Sequence, residues 1–253
     1  LDAETRYPKL EKLALALIMA SRKLRLYFQC HPIVVVTVFP LRNILHKHEL
    51  SGRLAKVSGS SSNIDSKVLY DEWACDYNTD LINEYGYIAP YISVNKFESF
   101  HPIKSIEIID VGCGTGLVGK ELDKLGYSNI DGYDISPEML KIAKQTKIYG
   151  KLEQIDLNKR FLLPSKTYDA LLCVGSFGYS ALGPKAIKNL VTLVKSGGMI
   201  FIFMNSEPFG SQNYQEYILK LEKQFLWSVK SIDEYNYMDK LDRPGKLIIA
   251  TRL

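Results

Sequence analysis

The stretch that most narrows what this chain can fold into is Ile106-Glu107-Ile108-Ile109-Asp110-Val111-Gly112-Cys113-Gly114-Thr115-Gly116-Leu117-Val118-Gly119. A short apolar, β-branched run ends in an acidic residue and drops into a turn with glycine at every second position. A polar-apolar helical pattern then resumes. The spacing predicts strand, tight loop and helix. Glycine is needed in such a loop because the backbone takes φ/ψ values closed to residues with a Cβ and has to approach a ligand closely.

Downstream, strand-like and helix-like segments alternate, which predicts βαβ units on a parallel sheet. Expected strands are Ile106–Val111, Asn129–Tyr133, Lys151–Ile155, Ala170–Val174, Met199–Met204 and Leu247–Thr251. Expected helices are Val118–Lys124, Pro137–Thr146, Pro184–Val194 and Gln212–Phe225. Right-handed crossovers make this an α/β doubly wound layer sandwich. Upstream, Ile64 to Tyr85 reads as a helix rich in aromatics, with Tyr70, Trp73 and Tyr77 on one face at spacings of three and four.

A glycine-rich turn serves more than one cofactor class. Gly114-Thr115-Gly116-Leu117-Val118-Gly119 satisfies the G-x-G-x-x-G of nicotinamide-binding domains, and Asp134 follows at the distance such a fold expects, so an NAD-dependent oxidoreductase is one reading. Electrostatics favours another. A dinucleotide sets its pyrophosphate at this turn and helix N-terminus, where an anion would repel it. Asp110, just before the first glycine, suits instead a ligand with an ammonium and a sulfonium and no phosphate, which is S-adenosylmethionine.

Other pieces agree with that ligand. Gly132-Tyr133-Asp134-Ile135-Ser136 ends the second strand with a carboxylate suited to both ribose hydroxyls. Ser136 is a good N-cap, Pro137 a good first helical residue, and Met139 is expected on the adenine face or in the core. Ile155-Asp156-Leu157 places a carboxylate near the adenine amine. The strand ending in Val174-Gly175-Ser176 is expected beside the methyl group, and Lys195 to Ile200 is expected as the turn into the fifth strand.

With that ordered set complete, the region resembles the class I S-adenosylmethionine-dependent methyltransferases. Tyr70 to Tyr77, Asp110 to Val118 and Gly132 to Leu140 are particularly similar to the methyltransferase-like proteins of the Williams–Beuren region, and the similarity extends across residues 64–205. The resemblance implies a Rossmann-like three-layer sandwich on a mostly parallel seven-stranded sheet whose last strand is antiparallel. It also implies a cofactor lying over the carboxyl ends of strands one, two and four. The expected cofactor-binding residues are Tyr70, Trp73, Tyr77, Asp110, Gly112, Gly114, Gly116, Leu117, Asp134, Ile135, Met139, Asp156, Leu157, Val174 and Gly175. No side chain stands out as a catalytic base: His101 is read as structural, and Asn205 and Glu207, just past the end of the fifth strand, are better placed but carry no signature of the role. The loop Gly175 to Gly183, with Phe177 and Tyr179, is expected to border the acceptor.

The first quarter of the chain differs. Residues 1–60 carry 10 Lys/Arg and 4 Asp/Glu, whereas the remaining 193 carry 22 and 24, so the net +4 comes from +6 and −2. Ser58-Gly59-Ser60-Ser61-Ser62-Asn63 between them reads as a linker, residues 58–63. Glu4 to Ala14, Arg22-Lys23-Leu24-Arg25 and Pro40 to Leu45 resemble the RNase H-like region of plant Ty3/Gypsy retrotransposon polyproteins, over residues 1–57. Thr37 is followed by Val38 where that family has a metal-binding aspartate. Two-metal hydrolysis needs several carboxylates, so this α/β fragment is expected to be a nonfunctional remnant preceding a catalytic domain over residues 64–253.

Charge and motifs exclude other classes. A −2 catalytic region lacks the basic footprint of nucleic-acid binding. No Asn/Asp-Pro-Pro-aromatic signature follows the fourth strand, and no Pro-Cys nucleophile occurs. Cys30, Cys75, Cys113 and Cys173 show no disulfide or metal-ligand spacing, no apolar run approaches the ~20 residues of a membrane-spanning helix, and no signal-peptide cleavage pattern is seen. The expectation is a cytoplasmic enzyme with S-adenosylmethionine, no metal, no membrane partner and a small, aromatic or apolar acceptor, the alternatives being an NAD-dependent oxidoreductase and a regulatory protein that binds S-adenosylmethionine without catalysis.

Overall fold

The computed structural model describes residues 67, 70–71, 74, 77–159, 167–178 and 182–253. The chain divides into two units, Leu1–Lys56 and Val57–Leu253, and every described residue belongs to the second. The RNase H-like reading, Trp73 and Tyr179 all lie outside the described residues.

Seven strands form one sheet: β1 (Ile108–Val111), β2 (Ile130–Asp134), β3 (Lys151–Gln154), β4 (Tyr168–Val174), β5 (Val194–Asn205), β6 (Trp227–Asn236) and β7 (Pro244–Arg252). Their spatial order is β3-β2-β1-β4-β5-β7-β6. β3, β2, β1, β4 and β5 pair in parallel, and β7 pairs antiparallel with both β5 and β6. This is the Rossmann-like sheet expected, with the order reversing between β1 and β4, where ligands of open α/β sheets bind.

Among the described residues the helices with full bounds are α1 (Ala89–Phe100), α2 (Leu117–Lys124), α3 (Pro137–Gln145), α4 (Ala186–Leu193), α5 (Ser206–Ser211) and α6 (Tyr214–Lys223), with a π-helical turn at Thr79–Glu84. On one face of the sheet, Ile187, Leu190 and Val191 of α4 and Tyr214, Ile218 and Leu221 of α6 pack with Ile109, Leu171, Cys173, Ile200 and Ile202. On the other, Phe97 of α1 meets Phe201 edge-on at 5.4 Å and Tyr127 at 5.2 Å. Central β1 and β2 are buried at every residue, as a parallel sheet covered on both faces requires.

Several elements depart from the sequence expectation, the short helix α5 among them. β6 was missed because its side chains alternate between exposed and half-buried with only Trp227 buried, so it reads as a polar segment. α1 was missed because its buried residues include Ser93 beside Ala89, Val94 and Phe97, which blurs the apolar stripe. The glycine turn expected before the fifth strand lies within β5: Tyr168 pairs with Val194, then Ala170 with Met199, so the extra residues, including Gly197 at φ +80°, form an irregularity in the strand.

Candidate functional site

Where β1, β2 and β4 end, their loops surround a cleft of about 660 Å³ including its open mouth. Tyr70, Tyr77, Gly112, Gly114, Asp134, Ile135, Met139, Asp156, Leu157, Val174 and Gly175 line it, all named from the sequence. Ile155, Asn158, Ser176 and Leu182 join them. Asp110, Gly116 and Leu117 do not; Gly116 and Leu117 are the N-cap and first residue of α2.

The glycine turn is shaped by close approaches. Gly112 sits at φ +69°, and a Cβ there would lie 2.0 Å from Ser176 Oγ, so the β1 and β4 loops touch at this point. Gly114, at φ +53°, is different: no protein atom lies within 4 Å of where its Cβ would stand. Its missing side chain leaves room on the cleft side.

Asp134 closes β2 and knits two loops together. One carboxylate oxygen accepts from Gly114 N at 2.8 Å, and the other from Ser136 N at 2.8 Å. Burial raises its pKa, with the amide bonds from Ser136, Gly114 and Ile135 opposing the shift. A carboxylate has about four lone-pair sites, so with these three amides bound acceptor capacity remains for a further donor. Ser136 Oγ accepts from Met139 N at 3.1 Å and Pro137 opens α3, the cap expected from sequence. Met139 is buried in that first turn while still lining the cleft. Asp156 accepts from Asn158 N at 3.1 Å and pairs with Lys159 at 3.0 Å.

Asp110 departs from its expected place. It is fully buried, with one oxygen accepting from the Tyr149 hydroxyl at 2.7 Å and the other, Oδ1, without a hydrogen-bond partner. Burial pushes its pKa up to about 7, the Tyr149 bond opposing and Asp134 adding to the shift. Sequence reasoning missed Tyr149 because nothing in a strand-turn-helix pattern marks the tyrosine that will pack beneath it.

The segment before α1 supplies the aromatic wall. Tyr70 and Tyr77 meet edge-on with centroids 6.4 Å apart. Burial, with Asp134 adding, pushes the Tyr70 hydroxyl up to about 12; burial, Tyr70 and Asp134 raise Tyr77 further. Both therefore stay protonated. Hydrogen bonds tie this segment to the cleft loops: Ser136 Oγ donates to Asp71 at 2.5 Å, Glu138 N to the same carboxylate oxygen at 3.5 Å, and Thr115 Oγ1 to Asn78 Oδ1 at 2.5 Å. Behind the β4 loop the Tyr87 hydroxyl would stand 2.5 Å from a Cβ on Gly175, whose φ is +75°.

Other sequence candidates settle into structural roles. Phe177 is buried and meets Tyr214 edge-on at 5.9 Å. Asn205 caps α5 by accepting from Glu207 N at 3.0 Å, and neither residue lines the cleft. His101 packs on Phe97, and burial lowers its pKa. Among the described residues no His, Cys, Asp and Glu cluster could hold a metal, and no helix is long and apolar enough to cross a membrane.

Residues 109–202 match the family model described as a methyltransferase domain. Human methyltransferase-like protein 27 is 31% identical over 186 residues, covering 71% of this chain and 75% of that protein. The chain belongs to the class I S-adenosylmethionine-dependent methyltransferases. Another methyltransferase, the ubiquinone biosynthesis O-methyltransferase of Colwellia psychrerythraea, is 30% identical over 161 residues, 62% of this chain and 63% of that one. Among solved structures, a putative S-adenosyl-L-methionine-dependent methyltransferase from Methanococcus maripaludis superposes with a TM-score of 0.54 at 18% identity, covering 77% of this chain and 96% of that one; this likeness concerns the fold. The chemistry of this methyltransferase is methyl transfer from S-adenosylmethionine, and the nicotinamide reading of its glycine turn is set aside.

Proposed function

We propose that the cleft holds S-adenosylmethionine and that the chain methylates a small, aromatic or otherwise apolar acceptor in the cytoplasm. The observation that carries this reading is the convergence of Gly112, Gly114, Asp134 and Asp156 with Tyr70, Tyr77, Leu157 and Leu182 on one cleft. The fit is favourable. The open space over Gly114 suits the methionine side, and the remaining acceptor capacity of Asp134 suits the ribose hydroxyls. Asp156 is suited to the adenine amine, with Ile135, Met139 and Leu157 as apolar neighbours. Gly116 and Leu117 contribute through the geometry of the turn, as does Asp110; Val174 and Gly175 flank the transferable methyl.

The bound cofactor supplies a methyl on a sulfonium, already a good leaving group. The protein's part is alignment and exclusion of water. Tyr70 and Tyr77 offer faces to the positive charge. A small-molecule acceptor is supported by the cleft's size and aromatic wall and by the name of the ubiquinone-pathway relative, an O-methyltransferase. The segment over residues 1–57 is proposed as a remnant without activity of its own, and the buried thiols of Cys113 and Cys173 suit a reducing compartment.

The test is incubation of the full chain with S-adenosylmethionine and a panel of small phenols, thiols, amines and carboxylic acids, with nucleic acid and protein as controls. Formation of S-adenosylhomocysteine with a small acceptor is expected. Turnover confined to a macromolecule would overturn the acceptor class.

A further inference from the structure

Three glycines around the first loop share one neighbour that does not line the cleft. A Cβ on Gly119 would lie 2.5 Å from the Tyr149 hydroxyl, one on Gly116 3.1 Å from its Cε2, and one on Gly132 3.0 Å from its Cδ1. Distances below about 3.0 Å are not found for real Cβ atoms, so the glycine at 119 clears the volume that this ring fills, while those at 116 and 132 leave it a tight fit. The Tyr149 hydroxyl, lodged between β1 and α2, donates to Asp110 Oδ2 at 2.7 Å and accepts from Gly119 N at 3.2 Å. It thus joins the last turn-proximal carboxylate of β1 to the first turn of α2, the two ends between which Gly112 to Gly116 are suspended.

We propose that Tyr149 is a positioning residue for the cofactor loop: its ring is the floor of the glycine turn, and its hydroxyl, through Asp110, fixes the turn in the shape that carries Gly112 and Gly114 to the cleft. This rests on the reading of the cleft as the S-adenosylmethionine site.

The argument is one of satisfaction and rigidity. Asp110 is fully buried, and the Tyr149 hydroxyl is the donor that meets its carboxylate; the Oδ1 oxygen already lacks a partner. Removing the hydroxyl leaves the whole carboxylate without a donor in a dry setting, where an unmet polar group is costly. Relief then comes from movement of β1's end, and Gly112 follows two residues later. The turn has further ties: Gly112 N and Cys113 N both donate to Tyr133 O, at 2.7 and 3.0 Å. Those bonds hold its position along β2, whereas Tyr149 holds it from below. Because Tyr149 makes no contact with the cleft space, its effect on ligand binding has to pass through the loop.

Tyr149→Phe keeps the ring that the three glycines accommodate and removes the hydroxyl alone. Calorimetry with S-adenosylhomocysteine on the full chain should show binding weakened about tenfold or more. The melting temperature of the ligand-free variant should stay within a few degrees of wild type, and the KM for S-adenosylmethionine should rise with kcat largely kept. Asp110→Ala should weaken binding comparably, and Tyr149→Phe in that background should cost nothing further, since the hydroxyl then has no carboxylate to fix. A Tyr149→Phe protein that binds within twofold of wild type, or whose loss matches its unfolded fraction by circular dichroism, overturns the proposal, as does additivity of the two substitutions. Failure of the wild-type chain to bind S-adenosylhomocysteine would instead sink the reading of the cleft.

Discussion

Asp71 and Ser136 meet at 2.5 Å across 65 residues of chain, the serine hydroxyl donating to the carboxylate. That same hydroxyl oxygen accepts from Met139 N as the cap of α3, and Lys67 donates to the second Asp71 oxygen at 2.7 Å. One carboxylate thus fastens the segment bearing Tyr70 to α3, the helix that follows β2. Hydrogen bonds to charged groups contribute about 1.5–3 kcal/mol. Asp71→Ala is therefore expected to lower stability by about 1–2 kcal/mol and to weaken S-adenosylhomocysteine binding several-fold. Asp71→Asn keeps an acceptor for Ser136 and should retain most of both. Chemical denaturation and calorimetry on the two variants check this, and equal behaviour of Ala and wild type would show the link to be idle.

The two glycines that face opposite ways make a paired prediction. Gly112→Ala drives a Cβ to 2.0 Å from Ser176 Oγ, while Gly114→Ala meets no protein atom within 4 Å. Both carry the left-handed backbone cost of about 1–2 kcal/mol for a residue with a Cβ. Beyond it, Gly112→Ala should lose further stability from displaced loops. Gly114→Ala should stay near that baseline yet lose S-adenosylhomocysteine affinity, because its methyl enters ligand space. If Gly114→Ala binds as wild type does, the ligand does not pass over that residue.

How far the sequence could be read follows from what kind of physics each residue answers to. Ser136 and Pro137 were legible because capping and φ restriction are local, and the structure repeats the expected cap. Glycine at 112, 114 and 116 was legible as a turn, but not which glycine faces ligand and which faces protein. That depends on Ser176 and Tyr149, 64 and 33 residues from Gly112 and Gly116 in sequence and adjacent in space. Asp110 was read from charge alone, and its partner Tyr149 is invisible to a periodicity argument because it lies on the connection after α3, near Lys147 at φ +59°. Strand β6 escaped because an edge strand with one wet face carries no apolar run.

Asp110 also sets a pH dependence. Its ordinary pKa of 3.8 is pushed up to about 7, so between about pH 4 and 7 the folded chain keeps a proton that the unfolded chain has released. Stability contributed through this group falls as pH rises across that window and levels off above it. Tyr149, Asp134, Cys113 and Cys173 are titratable groups around it, and burial raises the pKa values of Tyr149 and both thiols well above that window. Asp110→Asn lacks the titration. The stability of Asp110→Asn relative to wild type should therefore rise from pH 4 to 7 and then stay flat, by thermal unfolding in matched buffers. A difference independent of pH would place the Asp110 pKa near its ordinary value.

Asp134 joins stability to binding. Its oxygens receive Gly114 N and Ser136 N, both at 2.8 Å, and Asp134→Ala strands these amides at the cleft wall. An unmet buried donor costs about 1–3 kcal/mol, so a loss of that order is expected by denaturation, and S-adenosylhomocysteine affinity should fall more than tenfold, about 1.4 kcal/mol or more. Asp134→Asn separates the two effects. Its amide oxygen can still receive one backbone N–H, so stability should recover in part, while the amide nitrogen brings donors where ribose hydroxyls need acceptors, and affinity should stay low. Affinity that recovers in step with stability would show Asp134 to act only as a brace for the Gly114 loop, leaving the ribose to be held by other residues.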